Sequence, residues 1–409
     1  MIKKYGLLGL CMAFSLYTSA QSVLKQGKWH ADLHRHDGHS IPFIMDIQYQ
    51  NGKYTPYIVN GTERIKTEDI VMTKDSAIIR MPVFESYFRV KIVNKDSLNG
   101  VWVQAGEVKD ILIPFTAASG GSRFTVPEAI APQQLQGKWS IEITRPNQTK
   151  RPAIGEIIQT GSQLKGTVLT PSGDYRYLNG VQSKDSLFLS TFDGKHAILL
   201  TAKIDSARLT GNLYNSDSPF ESLVAVKDAN AVLKDAGTAV KNGSDGKVNF
   251  SLKDLQGNTV SLQSDRYKGK VVILQLMGSW CPNCMDETAF LSDYYNHNKN
   301  RGVEIIALAY ELSTDAVRSK KSIEKFKNQF NVQYPILNTG VTASDPQRAD
   351  KTLPQLTAIK SFPTTLILDK NGVISHITTT FYGPGAGEYH LKYKQDLEKS
   401  ISTLLEQRL

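Results

Sequence analysis

Cysteine is nearly absent from this 409-residue chain, which has only Cys11, Cys281 and Cys284. A small scaffold stapled by several disulfides is thereby excluded. Dense Lys/Arg runs are also lacking. The 48 basic residues exceed the 39 acidic ones by only nine, a mild excess that points to no nucleic-acid partner. Beyond the N-terminus no apolar stretch approaches the ~20 residues a membrane-spanning helix needs. Hydrophobic content of 40% with 21% charged residues belongs to a folded chain, not to a disordered or collagen-like one. At roughly 150 residues per domain, the length calls for two or three folded units.

The first residues read as a targeting segment. Lys3 and Lys4 precede an apolar core from Leu7 to Leu16, and Thr18-Ser19-Ala20 offers small residues for cleavage before Gln21. Residues 1–20 are expected to be removed, leaving +7 on 389 residues and an exported, periplasmic protein that does not span the membrane. An uncleaved anchor is the alternative, for which the apolar core is short. Leu10 is too bulky a neighbour for Cys11 to serve as a lipidation site. The mature chain then keeps one cysteine pair, Cys281 and Cys284, whose short ring restricts the unfolded chain little and suits redox chemistry better than stapling. A zinc site is the other reading, but it needs two further soft ligands and the nearest histidine is His297.

The N-terminal half repeats itself. Gly27-Lys28-Trp29 recurs as Gly137-Lys138-Trp139, Lys74-Asp75-Ser76 as Lys184-Asp185-Ser186, and Leu98-Asn99-Gly100 aligns with Leu209-Thr210-Gly211, all at offsets of 110 or 111. Apolar residues alternate or cluster at 156–159, 164–168, 186–190 and 197–202 between Gly, Asn, Ser and Asp turns. Two antiparallel β-meander units are expected, at 21–126 and 132–227. Each could close into a barrel or sandwich, or the two could share a sheet. His30, His34, His36 and His39 crowd one stretch of the first unit, and the first three share parity, so they are expected on one strand face. Metal binding and a solvated polar face are both open readings there.

Residues 228–246 read as a linker with one short helix, ending in Asn242-Gly243-Ser244-Asp245-Gly246. From 247 to 409 the pattern changes class. A strand pair flanks Leu255-Gln256-Gly257-Asn258; strands at 271–276, 303–308, 364–368 and 373–377 then alternate with helices after Cys281, around 323–330 and from about 389, which argues an α/β sheet. Trp280-Cys281-Pro282-Asn283-Cys284 falls between a buried-type strand and a helix. A thiol at a helix N-terminus faces unpaired N–H groups and the positive end of the dipole, which favour thiolate. Cys281 is therefore the expected nucleophile and is expected to be reachable. Pro282 suits the first turn, and Cys284, one turn inward and more shielded, is the expected resolving thiol.

These residues, with Glu287 and with Ser361-Phe362-Pro363-Thr364-Thr365 before the strand 366–369, make the segment 247–409 resemble the TlpA/ResA-type thioredoxin-like thiol-disulfide oxidoreductases. The resemblance implies a thioredoxin-like α/β domain behind the two all-β repeat units. It makes Pro363 a cis-proline beside the disulfide, with Trp280 and Phe362 forming the substrate-binding surface, and Glu287 a carboxylate that adjusts the cysteines; a solvated first-turn acid is the other reading of Glu287. It further implies protein thiols and disulfides as partners, a membrane electron donor and a reductase direction.

No metal or organic cofactor is called for. Gln275 stands where thioredoxin has a buried acid, and Phe362 replaces a smaller residue. The polar segment 338–352 is long enough for a lid or docking loop. A thiol peroxidase, or a binding protein whose β repeats carry the main function, are the competing readings.

Overall fold

The computed structural model describes residues 24–125, 133–233 and 237–407. The targeting segment 1–20 and Cys11 lie outside them. Both repeat units start on the same device. Trp29 and Trp139 are fully buried, and each indole Nε1 donates to the carbonyl four residues earlier, Lys25 and Leu135, at 2.9 Å. A buried indole needs such a partner, and the shared solution fixes the first strand of each unit, Gly27–His34 and Gly137–Thr144. The registers match: Gly27 lies opposite Ile47, and Gly137 opposite Ile157. Each unit is an antiparallel sheet of nine strands.

The two units differ at one seam. In the second, strand Gln163–Thr170 pairs with Lys150–Thr160 on one side and with Leu178–Ser183 on the other, so the sheet closes on itself. In the first, the sheet ends at Glu63–Lys66 on one edge and Val71–Met72 on the other, with no ladder between them. By the repeat offset, the two-residue strand Val71–Met72 stands where the second unit has Leu178–Ser183. Pro56, which has no N–H for a ladder, stands where Gly166 pairs with Leu178.

The open face is filled from outside. Phe192, Ala197, Leu199 and Tyr214 of the closed barrel join the core of the first unit, and the Phe192 ring lies 4.5 Å from that of Phe43 and 5.2 Å from that of Trp102. Ile198 and Leu200 point the other way, into the barrel's own core. Burial of both faces explains why 197–200 is apolar without alternation.

The four histidines do not converge. His30 contacts Asp32 and the Ser122 carbonyl, and His34 contacts Ser40 and Thr116. His36 lies past the end of the strand against Asp217, so shared parity does not put it on the same face; His39 contacts Asp37 and Tyr214. Among the described residues no group of three or more His, Cys, Asp or Glu is placed to hold a metal.

The C-terminal part is a five-stranded sheet in the order Ile336–Asn338, Val303–Ala309, Val271–Met277, Thr364–Leu368, Ile374–Thr378. The central strand Val271–Met277 is buried throughout, parallel to Val303–Ala309 and antiparallel to Thr364–Leu368. The helices are α1 (Pro282–Asn298), α2 (Ala316–Gln329), α3 (Arg348–Thr352) and α4 (Glu388–Glu406).

The strand's two faces feed separate cores, Ile273 packing with Leu291 and Ile401, and Leu274 with Tyr310 and Leu353. No helix occurs among the described residues of 228–246. That stretch lies along the sheet domain instead, with Val240 bridged to Leu356 and Lys241 N donating to the Gln355 carbonyl at 2.7 Å. Among the described residues no helix is long and apolar enough to cross a membrane.

Candidate active site

Beyond the central strand the chain turns sharply, and Gly278 makes the turn possible: a Cβ there would overlap the Trp280 indole, which folds back to donate from Nε1 to the Tyr310 carbonyl at 2.8 Å. Cys281 follows as the N-cap of α1, in extended conformation, and its Sγ accepts from Cys284 N at 3.2 Å. Pro282 fills the first helical turn at no hydrogen-bond cost. Cys281 and Cys284 are joined as a disulfide with their Cα atoms 5.2 Å apart, and among the described residues no further His, Cys, Asp or Glu joins them in a group that could hold a metal. Cys284 is fully buried. Cys281 is 5% exposed, so the sulfur expected to be open to solvent faces only a cleft.

The opposite wall is the loop 361–365. Its Phe362–Pro363 peptide is cis, and the Phe362 carbonyl oxygen lies 3.5 Å from Cys281 Sγ. The Phe362 ring meets Trp280 edge-on at 5.9 Å and Tyr310 at 5.2 Å, with the Arg348 guanidinium 5.8 Å over its face. Trp280, Phe362 and Pro363 thus gather around Cys281.

Glu287 is a buried residue in the second turn of α1, not a solvated first-turn acid. Its oxygens accept from Gln275 Nε2 at 2.8 Å, Thr365 Oγ1 at 2.6 Å and Tyr393 Oη at 2.7 Å. Burial raises its pKa, and the three donors oppose the rise. Gln275, which at first sight only lacks an acid, is thus one of the groups that hold the acid on the neighbouring helix. Glu287 shares the helix face of Cys284, three residues earlier. Thr365 belongs to the loop already singled out. Tyr393 comes from α4, 106 positions away, and no local sequence signal points to it.

The β units reach this site, which the sequence did not announce. Gly173 of the barrel sits so close to Asn283, between the two cysteines, that a side chain would overlap the amide. The Asn283 amide donates to the Asp174 carbonyl at 3.2 Å and accepts from Asp174 N at 2.9 Å. The Asp174 carboxylate accepts from Gly383 N and from Arg176 N. Arg176, itself buried, pairs with Asp286 on α1 at 2.5 Å and with Glu63 of the first unit. Burial, with Asp174 and Glu63 nearby, pushes Asp286 up to about 7 against the pull of Arg176. On the other flank Val83 and Phe84 of the first unit enter the core that contains both cysteines, and Glu85 pairs with Arg318 at 2.7 Å. What remains open over Cys281 is a cleft of about 400 Å³ between barrel and sheet domain.

A dithiol pair at the head of a helix, after a buried central strand and against a prolyl loop, is the arrangement of a thioredoxin-fold thiol-disulfide oxidoreductase. Residues 245–377 match the AhpC/TSA family. The thiol-disulfide oxidoreductase ResA of Geobacillus kaustophilus is 34% identical over 142 residues, 35% of this chain and 71% of that protein. ResA of Bacillus subtilis is 29% identical over 141 residues, 34% and 69% of the two chains. A thiol:disulfide interchange protein of the thioredoxin family from Chlorobium tepidum TLS aligns in structure with 18% identity and a TM-score of 0.31, covering 40% of this chain and 99% of its own. Through its C-terminal part the chain belongs to the ResA family of thiol-disulfide oxidoreductases. The two β units lie outside that match.

Proposed function

We propose that the chain is an exported reductase of protein disulfides, with Cys281 as nucleophile and Cys284 as resolving thiol. The observation that carries this reading is the pairing of a helix-capping sulfur beside the Phe362 carbonyl with a second sulfur sealed behind it. In the reduced protein the Cys281 thiolate attacks one sulfur of a partner disulfide, a mixed disulfide forms, and the partner's other sulfur leaves as a thiolate that takes up a proton. Cys284 loses its proton, attacks Cys281 Sγ and releases the partner's second thiol. Two electrons have passed to the partner, and the protein holds the Cys281–Cys284 disulfide.

Glu287, a positioning residue held by Gln275, Thr365 and Tyr393, adjusts the proton affinity of the pair from its place three residues past Cys284 on α1. Trp280, Phe362 and Pro363 receive the partner chain. Export follows from the segment 1–20 and places the exchange in the periplasm, where a membrane electron donor must return the protein to the dithiol.

Replacing Cys284 by Ser is expected to trap partners as mixed disulfides on Cys281, and replacing Cys281 by Ser to abolish both trapping and turnover. Hydrogen peroxide consumed faster than a protein disulfide would overturn the reading in favour of a peroxidase.

A further inference from the structure

The cleft over Cys281 has two owners. One side comes from the sheet domain, with Trp280, Phe362, Arg348 and Lys360, and the other from the barrel, with Ser172 and His196. With Cys281 only 5% exposed at its floor, the cleft cannot admit a disulfide on a flat folded surface, so the partner must send a short extended stretch of chain between the two walls.

The charges of the walls decide which stretch. Arg151 is matched by Glu221 at 2.5 Å, and His196 by Asp193 at 3.5 Å. The Asp174 carboxylate is taken by the N–H groups of Gly383 and Arg176. Two cations remain. Arg348 donates to the Asp345 and Ile359 carbonyls, while the Asp345 carboxylate is taken by Lys351 at 2.6 Å. Lys360, exposed on the rim, pairs with no carboxylate among the described residues. Arg348 is held in place over the ring of Phe362, the residue whose carbonyl faces Cys281. Its charge is therefore fixed on the wall of the cleft that holds Cys281, at little further cost in side-chain entropy.

We propose that this cleft recognises an extended polypeptide segment with carboxylates beside its cysteine, and that the barrel supplies the outer wall of the recognition site. The proposal rests on the thiol-exchange reading above and adds the substrate class. It makes the β repeats part of the specificity of the enzyme.

The test uses the full-length reduced protein and three synthetic disulfide-linked peptides that differ only in having Asp, Ser or Lys on both sides of the cysteine. The second-order rate constant for exchange is expected to fall in the order Asp, Ser, Lys, with about a tenfold spread at low salt that shrinks as salt screens the cleft. Lys360→Glu is expected to compress or reverse the order. Ser172→Glu, placed on the barrel wall, is expected to slow the Asp peptide about threefold more than the Ser peptide at low salt, a difference that shrinks as salt is added. Equal rates for the three peptides would overturn the acidic-segment proposal. A Ser172→Glu protein that behaves as wild type while Lys360→Glu does not would remove the barrel from the site. Failure to exchange with any of the peptides strikes the thiol-exchange reading itself, and so is told apart from both.

Discussion

The two β units have the same strand order, the same buried tryptophan with the same hydrogen bond, and the same starting register, yet only the second is closed. The first leaves a seam at Pro56 and Val71–Met72 and takes Phe192, Leu199 and Tyr214 of its neighbour into its core. A repeat of one sequence pattern therefore does not imply two equivalent domains. Where the closing strand shrinks and a proline removes a donor, the copy completes its core with a surface its twin leaves free, and the pair becomes one body. The closed copy also carries the loop that lies on Asn283, so the open copy is tied to the redox site partly through its twin.

Removing that tie is the strongest way to break the comparison. Arg176 pairs with Glu63 of the open copy and Asp286 of α1, so Arg176→Ala leaves a largely covered carboxylate without its cation in each. It is expected to lower stability by about 4 to 5 kcal/mol in chemical denaturation; a loss under about 1 kcal/mol would mean that the three units do not depend on this node.

Phe192→Ala comes next. The residue belongs to the closed barrel, but its ring stands among Phe43, Phe88 and Trp102 of the open one. A cost of about 3 to 4 kcal/mol is expected, with amide exchange accelerated in the strands of the first unit more than inside the barrel. Acceleration confined to the barrel would show that the open copy stands without its plug.

Much of this was legible from local pattern. The repeat offset located both units because a buried tryptophan and its turn leave the same short words each time, and the strand before Cys281 showed as an apolar run interrupted only by Gln275 because both of its faces are covered. Glu287 was picked out, but its environment was not: Tyr393 lies on another helix, and a Glu inside a helix reads alike whether buried or solvated. The docking of the loop 170–177 on Asn283 was invisible for a related reason. Asp174 and Arg176 look like ordinary turn residues, and nothing in a one-dimensional pattern distinguishes a charge facing water from one facing another domain. The histidine cluster erred in the opposite sense, since parity holds only while the strand lasts and His36 lies past its end.

The effect that is smallest per step, read as a slope against pH, isolates the contact between closed copy and redox helix. Arg176, Asp174 and Glu63 face Asp286, whose pKa is raised from 3.8 to about 7. Between those two values the folded protein keeps a proton that the unfolded chain has lost. The stability contributed by protonated Asp286 is therefore complete below about pH 4, declines as pH rises, and is lost above about 7. Asp37, held well below its ordinary value by Arg35, and Glu85, lowered by Arg318 and Ser322, act with the opposite sign, since their contribution is lost as pH falls. The raw stability profile of the protein mixes the two trends. Subtracting it from that of Asp286→Asn removes what the two proteins share, because asparagine cannot ionise while the other groups stay in place. The variant should gain on the wild type from about pH 4 to 7 at up to about 1.4 kcal/mol per pH unit, then run parallel to it. Parallel profiles throughout would mean that Asp286 is ionised against Arg176 in the folded protein, and that the barrel is clamped to α1 by a plain ion pair with no proton shared among its acids.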